Sequence, residues 1–478
     1  MASWKRQLHW WHRWLGIVIG LLVPLWFGSG IVMMYVPYPE LTEEERMGWL
    51  APLDAGRVQV KADAAWETTA LAGMPDAVRL NTVAGRPAWH FQHERSWHSV
   101  WADSGAPLQV DDQIVGSCAR SAAPGARSLA IDTIDIDQWT FGAVRVHRPL
   151  FRVAVDDAAG SVLYVSGRTG ELVRDTTRSE RAWNWVGAVT HWLYVTPLRK
   201  HGEAWSQVVM WTSGVATALA ITGMVISIQR LRIRRRYAGG RMSPYTGWKA
   251  WHHWLGLGVG VLVITWLFSG WLSMGPFGFP AGGSITPQDR LAFAGGGVDS
   301  GDLGLDAAAL LRAHPGTLEL EWRRVGGALY LSALGRKGRT LVDARDGALL
   351  TALPHEALLR AAQAIRPVAA MQAELLTGPD DYYYSHHREV TFPVLRARFD
   401  LPEAPVFYID PAQGRLAGYV DRDKRWDRWL FDGLHRLDFA VLRTRPLWDV
   451  VVIVLCVLGF ALTFSGLVLG WRHLRKLG

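Results

Sequence analysis

Four histidines stand in a pattern that can hold iron. His12 lies in Trp11-His-Arg-Trp-Leu-Gly16 and His252 in Trp251-His-His-Trp-Leu-Gly256, at an offset of 240 residues. His191 and His435 each follow a tryptophan, Trp185 and Trp429, at an offset of 244. Two opposed imidazoles at one depth can occupy both axial positions of a haem iron. That leaves no open coordination position and suits electron transfer better than oxygen binding. Two such pairs at two depths make a relay. His12, Gly16 and Gly20 fall at i, i+4 and i+8 on one helix face, and His252, Gly256 and Gly260 repeat the arrangement. Glycines beside a ligand leave room for a flat macrocycle; the same spacing also lets two helices pack closely. Arg13 is a candidate partner for a haem propionate or an ordinary basic flank. His9, His253, His201 and His473 are alternative ligands or solvated side chains. His386-His387, after Asp380-Asp-Tyr-Tyr-Tyr384, form with Tyr383 a candidate substrate cluster, or else the edge of a Tyr/His-rich strand.

The elements that must position these residues are apolar runs. Four are long enough to cross a bilayer, which takes about 20 helical residues: roughly Trp14–Val36, Val208–Ile228, Leu255–Met274 and Asp449–Trp471. The first is too long for a signal peptide and lacks an Ala-x-Ala site, so it reads as an uncleaved anchor. The organisation expected is a tail and span over 1–36, an outside α/β domain with an interfacial helix over 37–204, a span over 205–228, and a basic loop over 229–252. A span over 253–275, a second outside α/β domain with its interfacial helix over 276–447, and a last span with its tail over 448–478 complete it. The halves match beyond the histidines. Ser29-Gly30 falls on Ser269-Gly270, Gly223 on Gly466, and the strand–turn stretch 162–170 on 406–414. Both halves enter in the same direction, so the fold class expected is a four-span helical bundle built by parallel duplication, with a pseudo-twofold axis along the membrane normal. That axis pairs His12 with His252 at one depth and His191 with His435 at the other.

Charge orients the chain. The 478 residues carry a net charge of +8, with 49% hydrophobic and 20% charged residues and 26 tryptophans, which excludes a disordered chain and fits membrane interfaces or a cofactor pocket. Segment 37–204 has 17 Lys/Arg against 21 Asp/Glu, and segment 276–447 has 21 of each. The excess sits on short flanks of the apolar runs, as positive-inside topology requires, and not on a nucleic-acid-binding face. Both termini and the 229–252 loop are therefore expected in the cytoplasm. Cys118 and Cys456 cannot supply a zinc or iron–sulfur ligand set, and no CxxCH attaches a c-type haem. No Gly-rich dinucleotide motif occurs, so any flavin must reside on another molecule.

These residues resemble the PepSY-associated transmembrane family. The resemblance rests on the two Trp-His-x-Trp-Leu-Gly motifs, Tyr382-Tyr-Tyr-Ser-His-His387, Pro393-Val-Leu-Arg396, Tyr408-Ile-Asp-Pro-Ala-Gln-Gly414, the run Arg428–Phe439 and Arg445-Pro-Leu-Trp-Asp449. It implies an inner-membrane protein whose outside domains are periplasmic and PepSY-like. It also implies similarity to ferric-siderophore reductases carrying b-type haems on paired histidines, here at His12, His252, His191 and His435. The function expected is a dihaem electron carrier, fed by a cytoplasmic reduced flavin or by quinol and discharging to a periplasmic ferric chelate. The alternative is a non-enzymatic membrane protein whose outside domains bind or regulate a periplasmic protein partner.

Overall fold

The computed structural model describes residues 2–126, 128–279, 282–386 and 389–476. The chain divides into a helical unit (1–38, 180–282 and 422–478) and a strand-rich unit (39–179 and 283–421).

In the helical unit, α1 (Ala2–Ile19) and α2 (Leu22–Met33) come from the first apolar run, and α3 (Ala188–Trp192) is a short helix that carries His191. The long helices are α4 (Gly202–Arg230), α5 (Trp248–Leu272) and α6 (Leu447–Leu474). At 1.5 Å per residue each of these three exceeds the roughly 30 Å hydrocarbon core. They are long and apolar enough to cross a membrane, so the chain is a membrane protein.

The first apolar run is not a fourth helix of this kind. It is two helices bent by 51° at Gly20-Leu21. Pro24 removes an amide hydrogen and crowds the carbonyl of Gly20 four residues back, which breaks the ladder there. The matching position in α5 is Ile264, and α5 runs through unbroken.

The strand-rich unit also departs from the expected pair of separate α/β domains. Its strands are β1 (Ala77–Val83), β2 (Arg86–His93), β3 (Ser96–Trp101), β4 (Leu129–Ile134), β5 (Leu150–Val155), β6 (Val162–Ser166) and β7 (Leu172–Thr176) from one segment. The other segment gives β8 (Glu319–Val325), β9 (Ala328–Gly335), β10 (Gly338–Asp343), β11 (Leu349–Leu350), β12 (Met371–Leu376), β13 (Val394–Phe399), β14 (Val406–Asp410) and β15 (Arg415–Val420). One seven-stranded sheet, ordered β11-β10-β9-β8-β1-β2-β3, runs through both segments. Its seam is the antiparallel pair β1–β8, with Arg79 opposite Glu321 and Asn81 opposite Glu319. The segments also share the core of Trp66, Trp89, Phe91, Trp322 and Leu331. Two separate domains bearing on a four-span bundle are thus replaced by one strand-rich unit. The duplication shows in its smaller sheets, β4–β7 and β12–β15, which carry the same register shift at Tyr164/Val165 and at Tyr408/Ile409.

A buried charge network crosses the seam. Glu171 and Glu319 are buried in the strand-rich unit and accept bonds from Asn81 Nδ2 at 2.7 and 3.0 Å. Arg79 reaches Glu171 at 2.6 Å, Arg339 reaches Glu319 at 3.1 Å, and Arg46 bonds both carboxylates. Burial would raise the Glu171 carboxyl, but the Arg79 and Arg46 guanidinium groups outweigh it and hold the group well below its ordinary value. His90 donates from Nε2 to Asn81 Oδ1 at 2.9 Å and bonds Ser99 Oγ through Nδ1 at 2.8 Å. Burial pushes it down to about 4, and His147 likewise.

These shifts set a pH dependence. Between pH 6.5 and 4 the unfolded chain binds protons that folded His90 and His147 refuse, so stability falls as pH falls through that window. The loss for His90 alone reaches about 3 kcal/mol for its shift from 6.5 to about 4. Below 4.5 the depressed carboxylates add to the loss. Melting of the β-sheet circular-dichroism signal from pH 7.5 to 4.5 should show the midpoint flat above 6.5 and falling below it, with a shallower slope in His90→Gln.

Candidate functional site

The helical unit brings the four histidines together in two pairs. The ring centroids of His12 and His252 lie 6.2 Å apart, and those of His191 and His435 also lie 6.2 Å apart. The ring planes cross at 42° in the first pair and 74° in the second. Each half of the chain supplies one ring to each pair.

Every ring is held in the same way. His12 Nδ1 bonds the Leu219 carbonyl at 3.2 Å and Thr222 Oγ1 at 3.3 Å on α4. His252 Nδ1 bonds the Leu462 carbonyl at 3.2 Å and Ser465 Oγ at 2.9 Å on α6. His191 Nδ1 bonds Ser29 Oγ at 3.0 Å on α2. His435 Nδ1 bonds the Trp266 carbonyl at 3.1 Å and Ser269 Oγ at 3.2 Å on α5. The hydroxyl in each case already donates to the carbonyl three residues earlier: Thr222 to Leu219, Ser465 to Leu462, Ser29 to Trp26 and Ser269 to Trp266. The hydroxyl oxygen and the carbonyl can therefore only accept. All four imidazoles must carry their proton on Nδ1, which leaves the Nε2 lone pair open for coordination.

A glycine follows each of these hydroxyl residues and lets the ring approach the helix. A Cβ added at Gly223 would lie 2.7 Å from His12 Cε1. The same addition would lie 3.2 Å from His252 Cε1 at Gly466, 3.3 Å from His435 Cε1 at Gly270, and 3.7 Å from His191 Cε1 at Gly30. The recurring shelf is thus carbonyl, two residues, Ser/Thr, Gly. Sequence reasoning takes Ser29-Gly30, Ser269-Gly270, Gly223 and Gly466 only as marks of the repeat. Their role as docking shelves, and Thr222 and Ser465 altogether, escape it. The available signal is the Ser/Thr-Gly dipeptide, which occurs five times in the apolar runs: four meet a histidine and the fifth, Ser213-Gly214, meets Trp271.

Local backbone places the ligands of the outer pair. Gly187 precedes α3, and a Cβ there would meet Val32 at 3.0 Å, so a glycine lets the His191 segment lie against α2. Leu193 ends α3 in the left-handed region, at φ 53°. On the other side the chain passes through a π-helical turn over Arg428–Gly433 before His435, a geometry that recurs at functional sites. Phe431 stacks on His435 at 4.9 Å, and Trp448 Nε1 ties the following turn through the Arg436 carbonyl at 2.8 Å.

The remaining candidates are placed differently. Gly16 faces Leu219, Gly256 faces Ser227 and Leu462, and Gly260 faces Met224, so these three meet neighbouring helices. Gly20 sits at the α1–α2 break, where a Cβ would strike the Gly16 carbonyl. Arg13 is exposed and reaches His473 Nε2 at 3.5 Å. His253 is buried and bonds the Ser227 carbonyl at 3.0 Å. His9 belongs to neither pair, and His201 is exposed at the start of α4. Tyr383 is buried and stacks on Tyr408 at 4.8 Å, with Tyr408 bonded to Asp380, so it is not presented to a substrate. His386 lies in the same loop, and His387 lies outside the described residues.

The residues fit a bis-histidine haem. An imidazole nitrogen bonds a first-row metal at about 2 Å, so two rings on opposite sides of one metal place their centroids roughly 6 Å apart. Among the described residues no group of three or more His, Cys, Asp or Glu converges as a metal site of protein ligands alone. A haem requires only two protein ligands. Along α5, His252 and the shelf residue Ser269 are 17 residues apart. At 1.5 Å per residue the two pairs therefore stand at levels about 25 Å apart. No protein-family model matches the chain, and no curated protein matches it.

Proposed function

We propose that the chain is a membrane electron carrier that holds two b-type haems, one on His12 and His252 and one on His191 and His435. The observation that carries this reading is the doubled arrangement itself. Two imidazole pairs have the same 6.2 Å separation, and every Nδ1 is engaged so that every Nε2 is open. Haem held by these two pairs would supply one-electron chemistry.

The residues of the chain orient the ligands and set their basicity. The Nδ1–H bonds to helix carbonyls raise the donor strength of Nε2 and fix ring rotation. With the positive-inside rule, the end bearing Lys5, Arg6 and Arg230 is cytoplasmic. Haem held by His12 and His252 would then face a cytoplasmic donor, a reduced flavin or quinol, and haem held by His191 and His435 would face a periplasmic acceptor. The acceptor we favour is a ferric chelate of the siderophore type, on the family resemblance. One electron reduces Fe(III) to Fe(II), which a hard oxygen-donor chelator holds less tightly.

The test is a reduced-minus-oxidised visible spectrum of the detergent-purified chain, with a haem-to-protein ratio. The expected result is a low-spin b-type spectrum at two haems per chain. Absence of haem in a host supplied with it would sink the proposal and favour a binding or regulatory role.

A further inference from the structure

We propose that the hollow between the start of α1 and the end of α4 binds a phosphate group. The cavity has a volume of about 430 Å³ and is lined by Lys5, Arg6, His9, Trp10, Arg13 and Arg230. This lies within the size range of small-ligand sites.

Its charge has no internal answer. The chain has no Asp or Glu before Glu40, none between Glu203 and Asp289, and none after Asp449. The segments around the hollow therefore contain no carboxylate to neutralise four cationic side chains. The preorganised feature is His9. Its Nδ1–H donates to the Lys5 carbonyl at 2.8 Å, and its Nε2 accepts from Arg230 at 3.3 Å. His9 thus splints α1 to α4 and aims the Arg230 guanidinium at the lining. A guanidinium fork beside further cations matches the oxygens of a phosphate. Trp10, half exposed, adds a ring face for a planar group attached to it.

Membrane topology alone does not account for the cluster. Counted at the 240-residue offset of the repeat, Lys5, Arg6 and Arg13 correspond to Tyr245, Thr246 and His253. The three cations of α1 are therefore a feature of the first half and not of the repeat. Two sources share the required chemistry, namely a soluble phosphorylated ligand such as a flavin mononucleotide and the headgroup of an anionic phospholipid. The site does not depend on haem, so it can be present whether or not the electron-transfer reading holds.

The experiment uses the full chain in detergent and in nanodiscs. Binding of flavin mononucleotide, of riboflavin (the same ring without phosphate) and of inorganic phosphate is followed by calorimetry and by Trp fluorescence. Arg6→Gln and Arg230→Gln are compared with Arg241→Gln, which lies outside the cavity, and folding of each is checked by size exclusion. A soluble source predicts flavin mononucleotide binding at least tenfold tighter than riboflavin. Inorganic phosphate should compete, added salt should weaken the binding, and the two cavity variants but not Arg241→Gln should abolish the preference. A lipid source predicts phosphatidylglycerol retained through purification by the parent and by Arg241→Gln but lost from Arg6→Gln and Arg230→Gln. It also predicts a block of flavin mononucleotide binding in phosphatidylglycerol nanodiscs that is absent in phosphatidylcholine. Equal behaviour of flavin mononucleotide and riboflavin, together with equal lipid retention in all four proteins, overturns the proposal.

Discussion

His12→Ala should halve the low-spin haem content of the purified protein, and His191→Ala should remove the other half. The argument is one of shared iron. If His12 and His252 hold the same metal, either alanine costs that level its closed coordination. His252→Ala should then match His12→Ala, and the double variant should lose no more than either single one. This non-additivity is the signature of two residues acting as one unit. Variants taken from different pairs should add, since the two levels are about 25 Å apart along α5. Redox titration gives a second readout, because each variant should abolish one of two midpoint waves and leave the other in place. Should His12→Ala and His252→Ala remove different species, or should the double variant lose twice as much, the pairing is wrong. The neighbouring histidines supply the control. His253 bonds the Ser227 carbonyl and His9 bonds the Lys5 carbonyl, so His253→Gln and His9→Gln should keep both haems.

The pairing could be reasoned from the sequence because it follows from repetition. A 240-residue offset that carries His12 to His252 also carries Ser29-Gly30 to Ser269-Gly270, and symmetry then sets like residues at like depth. What the sequence conceals is whatever depends on contacts without a local period. The β1–β8 seam joins residues some 240 apart, and nothing in either strand announces a partner in the other segment. Glu319 shows the difficulty. It is fully buried, and Arg46, Arg79, Arg339 and Asn81 converge on it from distant elements. The first apolar run reads as a span by hydropathy, and the consequence of Pro24 appears only when the carbonyl it crowds is located at Gly20. The glycines were legible as a face but not as a function. Gly16, Gly256 and Gly260 meet neighbouring helices, while the glycines that meet the histidines are Gly30, Gly223, Gly270 and Gly466, each on a helix other than its histidine's own.

Gly223→Ala should cost the His12/His252 level roughly tenfold or more in haem affinity, the scale expected when the group that orients a metal ligand is disturbed. The added methyl would lie 2.7 Å from His12 Cε1, closer than side chains tolerate. The ring can escape only by giving up its bonds to the Leu219 carbonyl and Thr222, which fix the direction of Nε2. The four shelves then predict a graded series. Gly466→Ala at 3.2 Å and Gly270→Ala at 3.3 Å should have intermediate effects on His252 and His435, and Gly30→Ala at 3.7 Å should be close to silent. Helix propensity predicts the opposite order of merit. Alanine is favoured over glycine in a helix interior by about 1 kcal/mol, so each substitution without a ligand role should be neutral or stabilising. The two accounts separate when haem content and helix melting are measured on the same four proteins. Haem loss ranked Gly223, then Gly466 and Gly270, then Gly30, with no loss of helix stability, places the effect on ring orientation. A flat series, or one that follows helix stability instead, means that the rings are not held on these shelves for coordination.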